Sequence, residues 1–156
     1  MTRAKVVIAL FFAVARAAAH PRSFTECGTS FCLDGAPFAL KSGSMHFFRV
    51  HPSEWPRGIA LLKAAGFNAV ATYLPWYLLE PEPGAWDATG ANDYVAFLRE
   101  VEAAGLLAIV RIGPYITGEL DFGGLPYWLL RDVDANATRA GLIRTTDPWW
   151  MGRVSA

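Results

Sequence analysis

The run from Arg111 to Trp128, RIGPYITGELDFGGLPYW, gathers residue types that do chemistry into one short stretch. Two carboxylates, Glu119 and Asp121, stand among Tyr115, Phe122, Tyr127 and Trp128, and Gly113-Pro114 and Gly123-Gly124 permit tight backbone turns around them. An acid in an apolar, aromatic setting either shifts its pKa or hydrogen-bonds a polar ligand. Arg111, permanently charged, is placed to hold nearby carboxylates. A plain ion pair between Arg111 and Glu119 or Asp121, with no ligand involved, is the competing reading.

A second group of functional residue types lies in PWYLLEPEPG, residues 75–84. Trp76 reads equally as a packing residue or as a platform on which a sugar ring stacks. Glu80 reads as a structural hydrogen-bond acceptor, because buried carboxylates are generally paired. His46 reads as a core or supporting residue.

These residues need elements to position them, and the chain alternates strand-like and helix-like segments. Phe31–Leu33, Asp34-Gly35 and Phe38–Leu40 read as strand, turn and hairpin partner. Ser42–Val50 fits a buried strand that ends in functional groups. Ser53 reads as an N-cap, with Pro56 in the first turn, of a helix through Ala65 that Gly66 terminates. Asn68–Leu74 is the next strand, and residues 75–84 are predicted to lack regular structure because of three prolines. Asp93–Ala104 carries apolar residues at helical spacing and Gly105 stops it; Leu106–Ile112 is an apolar run of strand length.

Strand, helix, strand, helix, strand implies an α/β fold with parallel strands and helical crossovers. A doubly wound sheet and a (β/α)8 barrel both satisfy that order. No glycine-rich phosphate turn follows the first strand, which counts against a dinucleotide-binding sheet. Polar and aromatic residues instead gather just past the strand ends, where a TIM barrel builds its active face. Only about three βα units are visible in 156 residues, so the expected architecture is the N-terminal portion of a barrel, incomplete in this chain.

Bulk properties exclude several partners. Net charge is zero and charged residues are 18% of the chain, which leaves no electrostatic footprint for nucleic acid. Residues 1–19 carry Arg3 and Lys5, an apolar run from Val6 to Ala15 and Ala17-Ala18-Ala19, the pattern of a secretory signal peptide. A membrane anchor needs roughly 20 apolar residues, and Arg16 interrupts this run too early. Secretion is consistent with Asn136-Ala137-Thr138 as an N-glycosylation acceptor and permits a disulfide between Cys27 and Cys32, with free thiols as the alternative. Two cysteines and three scattered histidines argue against a metal site, and no cofactor is implied.

The segments SGSMHFFR, HPSEWPRGIALLKAAGFNAVATYLPWYLLEPEPG, RIGPYITGELDFGGLPYWLL and LIRTTDPWWM together resemble the N-terminal part of family 35 glycoside hydrolases, the β-galactosidases. The resemblance covers about residues 22–156, a partial catalytic barrel. It implies retaining hydrolysis of terminal β-linked galactose, which requires one carboxyl as acid/base and a second as nucleophile. In the family the acid/base lies in an Asn-Glu pair after the fourth strand and the nucleophile follows the seventh. Neither region is expected within these residues: Asn68, Asn92 and Asn136 are followed by Ala, Asp and Ala. The chain alone is therefore expected to be inactive and, as an open piece of barrel, poorly stable.

The resemblance carries over the galactose-binding side of the pocket. Tyr73 and Glu119 match residues that hydrogen-bond galactose hydroxyls, with Glu119 expected as a buried acceptor, and Gly118 matches an Ala whose backbone touches the sugar. Arg111, Asp121, Trp76 and Glu80 are supporting candidates. Tyr77, Ile112, Leu120 and Asp121 replace the more usual Asn, Pro, Trp and Glu, which bears on substrate preference. The expected partner is a galactose-containing carbohydrate, in the extracellular space, cell wall, lysosome or vacuole. A non-catalytic truncated product or a weak galactose-binding module is the alternative; oligomeric state is not legible.

Overall fold

A computed structural model describes residues 23–131 and 143–155. The signal peptide expected over residues 1–19 and the glycosylation acceptor expected at Asn136 lie outside the described residues. The chain divides into two compact units, residues 1–39 and 40–156.

Within the first unit, β1 (Phe24–Cys27), β2 (Ser30–Leu33) and β3 (Ala36–Phe38) form an antiparallel meander in that order. Asp34 and Gly35 both take positive φ, 52° and 79°, the backbone that a two-residue hairpin turn demands and that an Asp-Gly pair supplies. The partner strand starts earlier than its apolar residues suggest: Phe38 pairs with Phe31 and Ala36 with Leu33, because the short turn sets the register. Cys27 and Cys32 are joined by a disulfide. β1 has no apolar alternation to announce it; every one of its residues is exposed.

In the second unit β4 (Ser42–Ser44), β5 (Ala69–Leu74) and β6 (Leu107–Ile112) form a parallel sheet in sequential order. The helices α1 (Trp55–Ala64) and α3 (Tyr94–Ala103) are the two crossovers. Both bury one stripe against the sheet: Trp55 and Ile59 from α1, Phe97 and Val101 from α3, and Val70 from β5 join Phe47 and Leu106 in one core. Side chains alternate along a strand, so Val70, Thr72 and Leu74 face the helices, while Ala71 and Tyr73 face the opposite side. Gly43 belongs on the helix side, where a β-carbon would lie 2.5 Å from Leu62 Cδ2, so any larger residue there displaces the Leu62 side chain.

Three expected elements differ in extent. The strand expected over Ser42–Val50 ends at Ser44, and Phe47–Arg49 is a 3₁₀ turn. That turn places Phe47, fully buried, against Tyr94 and Phe97, a position an extended strand cannot reach from the sheet. Ser53 is not the cap of α1. It lies inside a second 3₁₀ turn, Pro52–Glu54, with its N–H donated to His51 Nδ1 at 3.3 Å, and Glu54 takes the N-cap position. The loop after β5 contains a helical turn, α2 (Trp76–Leu79). Its four residues include no proline, and Pro75 stands at the N-cap, where a missing N–H costs nothing.

α3 starts at Tyr94, one residue inside the expected Asp93–Ala104, and Asp93 is its N-cap, accepting from Ala96 N at 2.8 Å. Beyond β6 follow α4 (Trp128–Arg131) and α5 (Pro148–Val154), the latter capped by Asp147 accepting from Trp149 N at 2.9 Å. Leu125, Trp128, Leu129 and Trp150 form a second core cluster.

Candidate functional site

Parallel pairing of β5 with β6 sets Tyr73 directly opposite Arg111. The Arg111 guanidinium lies 5.0 Å from the Tyr73 ring centroid and donates to the phenol oxygen at 3.4 Å, a cation–π contact reinforced by a long hydrogen bond. Both residues stand on the sheet face opposite α1 and α3. The expectation that Arg111 holds a carboxylate is corrected by this geometry: among the described residues it makes no ion pair with Glu119 or Asp121. Tyr73, its register partner on β5, engages the guanidinium instead.

The carboxylate Glu119 is held from a different element. Thr117, Gly118 and Glu119 take φ of 62°, 59° and 48° in succession, a left-handed run that closes with Leu120 N donating to Thr117 O at 3.0 Å. Gly118 lies against Tyr73, where an added β-carbon would be 3.2 Å from Cδ2. Arg49, from the 3₁₀ turn after β4, donates Nη2 to the Gly118 carbonyl and sets Nη1 3.7 Å from Glu119 Oε2. The Glu119 side chain is 90% exposed. The expectation of a buried acceptor is therefore corrected too: the left-handed turn projects the carboxylate away from the backbone, and these residues leave it in solvent.

His46 completes the group. Its ring stacks on Tyr73 at 4.5 Å between centroids and on Phe48 at 5.4 Å. Nδ1 is buried without a hydrogen-bond partner. Burial holds the imidazole pKa below its ordinary value, and the Arg49 cation lowers it further against the opposing pull of Glu119. His46 thus braces one side of Tyr73, while Gly118 packs on the same phenol. The Tyr77 and Tyr127 rings lie 6.1 Å apart. Burial raises the Tyr77 phenol pKa, helped by Tyr127 and by Asp121. Asp121 opens the 3₁₀ turn Asp121–Gly124 and acts on this corner through its charge.

Trp76 and Glu80 form a separate brace. Trp76 Nε1 donates to Glu80 Oε2 at 2.5 Å, Gly84 N donates to Glu80 Oε1 at 2.7 Å, and Trp128 Nε1 donates to the Glu80 carbonyl at 2.9 Å. Trp76 and Trp128 meet edge to face at 5.6 Å. Glu80 is accordingly a structural acceptor, and one edge of the Trp76 indole is committed to it. A cavity of about 730 Å³ opens alongside, lined by Leu74, Trp76, Trp86, Ile112 and Trp128 among others. None of Tyr73, Gly118 and Glu119 lines it.

Tyr73, Gly118, Glu119 and Arg111 therefore converge on one corner of the sheet, whereas Trp76 and Glu80 do not touch it. Chemically the corner offers a phenol, a carboxylate and two guanidinium groups beside an aromatic face, which suits a neutral ligand rich in hydroxyls. Arg49 was not among the residues expected there. Its only signal is its place in SGSMHFFR, just past a strand end. Among the described residues, no group of three or more His, Cys, Asp or Glu is arranged to hold a metal ion, and no helix is long and apolar enough to cross a membrane.

The profile of glycosyl hydrolases family 35 matches residues 30–156. The chain is 44% identical to the β-galactosidase-1-like protein of Mus musculus over 126 residues, 81% of this chain and 19% of that protein. It is 44% identical to a β-galactosidase of Xanthomonas manihotis over 158 aligned residues, 99% of this chain and 25% of that protein. With β-galactosidase 8 of Oryza sativa subsp. japonica it shares 37% identity over 148 residues, 93% of this chain and 22% of that protein. The chain thus spans a fifth to a quarter of the length of these relatives. A profile that matches nearly the whole described chain, supported by relatives from animal, plant and bacterium, establishes that this chain belongs to glycosyl hydrolase family 35.

Proposed function

We propose that this chain builds the galactose-gripping side of a retaining β-galactosidase site, at the start of a (β/α)8 barrel. The observation that carries the reading is the convergence of Tyr73, Gly118 and Glu119 on one corner past the ends of β5 and β6. A phenol on β5 and a carboxylate on the turn that packs against it supply a donor and an acceptor for sugar hydroxyls. Such a pair discriminates an axial 4-hydroxyl from an equatorial one, because the wrong epimer leaves a polar group unpaired.

The acid/base and nucleophile carboxylates of such a site belong to residues outside these 156. The absence of any Asn-Glu pair supports this, as does the fraction of its relatives that the chain spans. By itself the chain is a weak galactose binder without hydrolytic activity, reached through the secretory pathway by virtue of residues 1–19. The exposure of Glu119 favours weak binding, since water competes for a carboxylate in solvent.

Ligand-observed NMR on the purified chain tests the reading. Galactose is expected to bind at millimolar concentration, glucose to bind detectably less, and Glu119→Gln to abolish the difference. Equal response to both sugars overturns the galactose assignment. Hydrolysis of an aryl β-galactoside that disappears in Glu119→Gln overturns the claim that the reacting carboxylates lie elsewhere.

A further inference from the structure

The run Thr117-Gly118-Glu119 is the most improbable backbone near the site. Two of its three residues carry a β-carbon, yet all three have φ near that of a left-handed helix. Strain of this kind persists only where surrounding contacts over-determine it. The contacts here are few. Leu120 N closes the turn on Thr117 O at 3.0 Å, Gly118 rests on Tyr73, and Arg49 reaches from a turn 69 residues earlier to the Gly118 carbonyl. The same guanidinium reaches Glu119 Oε2. Arg49 is itself oriented by its backbone in the turn Phe47–Arg49, whose Phe47 is fully buried, and by its stacking 5.4 Å from the Phe48 ring.

We propose that Arg49 is a positioning residue for Glu119: one guanidinium fixes both the carbonyl inside the left-handed turn and the carboxylate that the turn presents. The planar fork of arginine presents donors on two separate nitrogens at a fixed spacing, whereas lysine gathers its three donors on one compact, flexible ammonium. A pair this exposed contributes little to global stability. Its consequence is geometric: without Arg49 the turn relaxes and Glu119 loses the position that the turn gives it. The sugar-binding part of this inference rests on the galactose reading above; the backbone part does not.

The test uses the full chain and separates the two. Amide hydrogen exchange is read without sugar: in Arg49→Gln, the Leu120 amide exchanges about tenfold faster while the β5 amides keep their protection. Arg49→Lys shows an intermediate rate. If Leu120 exchange is unchanged, or if it rises only in step with β5, the clamp is overturned. Galactose affinity is then read by NMR titration in a cycle with Glu119→Gln. Arg49→Gln alone weakens binding about tenfold, and in the Glu119→Gln background it has no further effect. Additive losses overturn the positioning role. Failure of the unaltered chain to bind galactose overturns the sugar reading while the exchange result still decides the clamp.

Discussion

The α-carbon of Gly118 lies against the Tyr73 ring, so that a β-carbon there would sit 3.2 Å from Cδ2 and 3.4 Å from Cε2. Its φ of 59° adds a second obstacle, since a left-handed backbone disfavours any side chain. Gly118→Ala is expected to destabilise the chain by about 1–2 kcal/mol. Chemical denaturation with tryptophan fluorescence checks this. A smaller loss shows that the Tyr73 ring can shift by the few tenths of an ångström required.

Glu80 ties three parts of the loop after β5 to α4. Glu80→Ala strands the Trp76 indole N–H and the Gly84 amide, and loss of such partners costs about 1–3 kcal/mol. Glu80→Gln retains an acceptor for one of the two donors and is expected to cost less than half as much. Denaturation midpoints of the two variants give the ratio. Galactose binding should be unaffected by Glu80→Gln, because the brace does not share residues with the Tyr73 corner.

His46 makes stability pH-dependent in a defined direction. Its folded-state pKa lies below the ordinary 6.5, from burial first and then from the Arg49 cation. Between the ordinary value and the lowered one, the unfolded chain binds a proton that the folded chain refuses. Stability is therefore full above pH 6.5 and falls as pH drops through the lowered pKa. Following the imidazole resonance by NMR checks the direction. Arg49→Gln should raise the His46 pKa, and Glu119→Gln should lower it.

The antiparallel meander depends on its disulfide. All of β1 is exposed, and a small exposed hairpin is marginal in water. Closing the short loop between Cys27 and Cys32, five positions apart, contributes about 2 kcal/mol on the chain-entropy account. Reduction should abolish exchange protection across β1 and β2 while the amides of β4, β5 and β6 stay protected. Retained protection in β1 after reduction refutes the dependence.

The elements most legible in the sequence are those whose signals are local. β5 and β6 are short apolar runs, α3 starts at an Asp cap and ends before Gly105, and Asp34-Gly35 makes its turn, all through interactions between near neighbours. The 3₁₀ turn at Phe47–Arg49 was not legible, because its cause is the burial of Phe47 against a helix some fifty residues later. Arg111 was misread for a similar reason. Its choice between Tyr73 and a carboxylate depends on the register of β5 against β6, which no local pattern reveals.

By itself the sequence determined the family through four motifs, the order of parallel strands and crossovers through hydrophobic period, and Tyr73, Gly118 and Glu119 as the residues of interest. These are properties of residue type and spacing. Only the tertiary structure decided that Arg49 rather than Arg111 attends Glu119, that the carboxylate is exposed, and that Trp76 and Glu80 brace a different corner. Each depends on contacts between distant segments of chain, whose geometry follows from strand register and from how deeply a few aromatic side chains are buried.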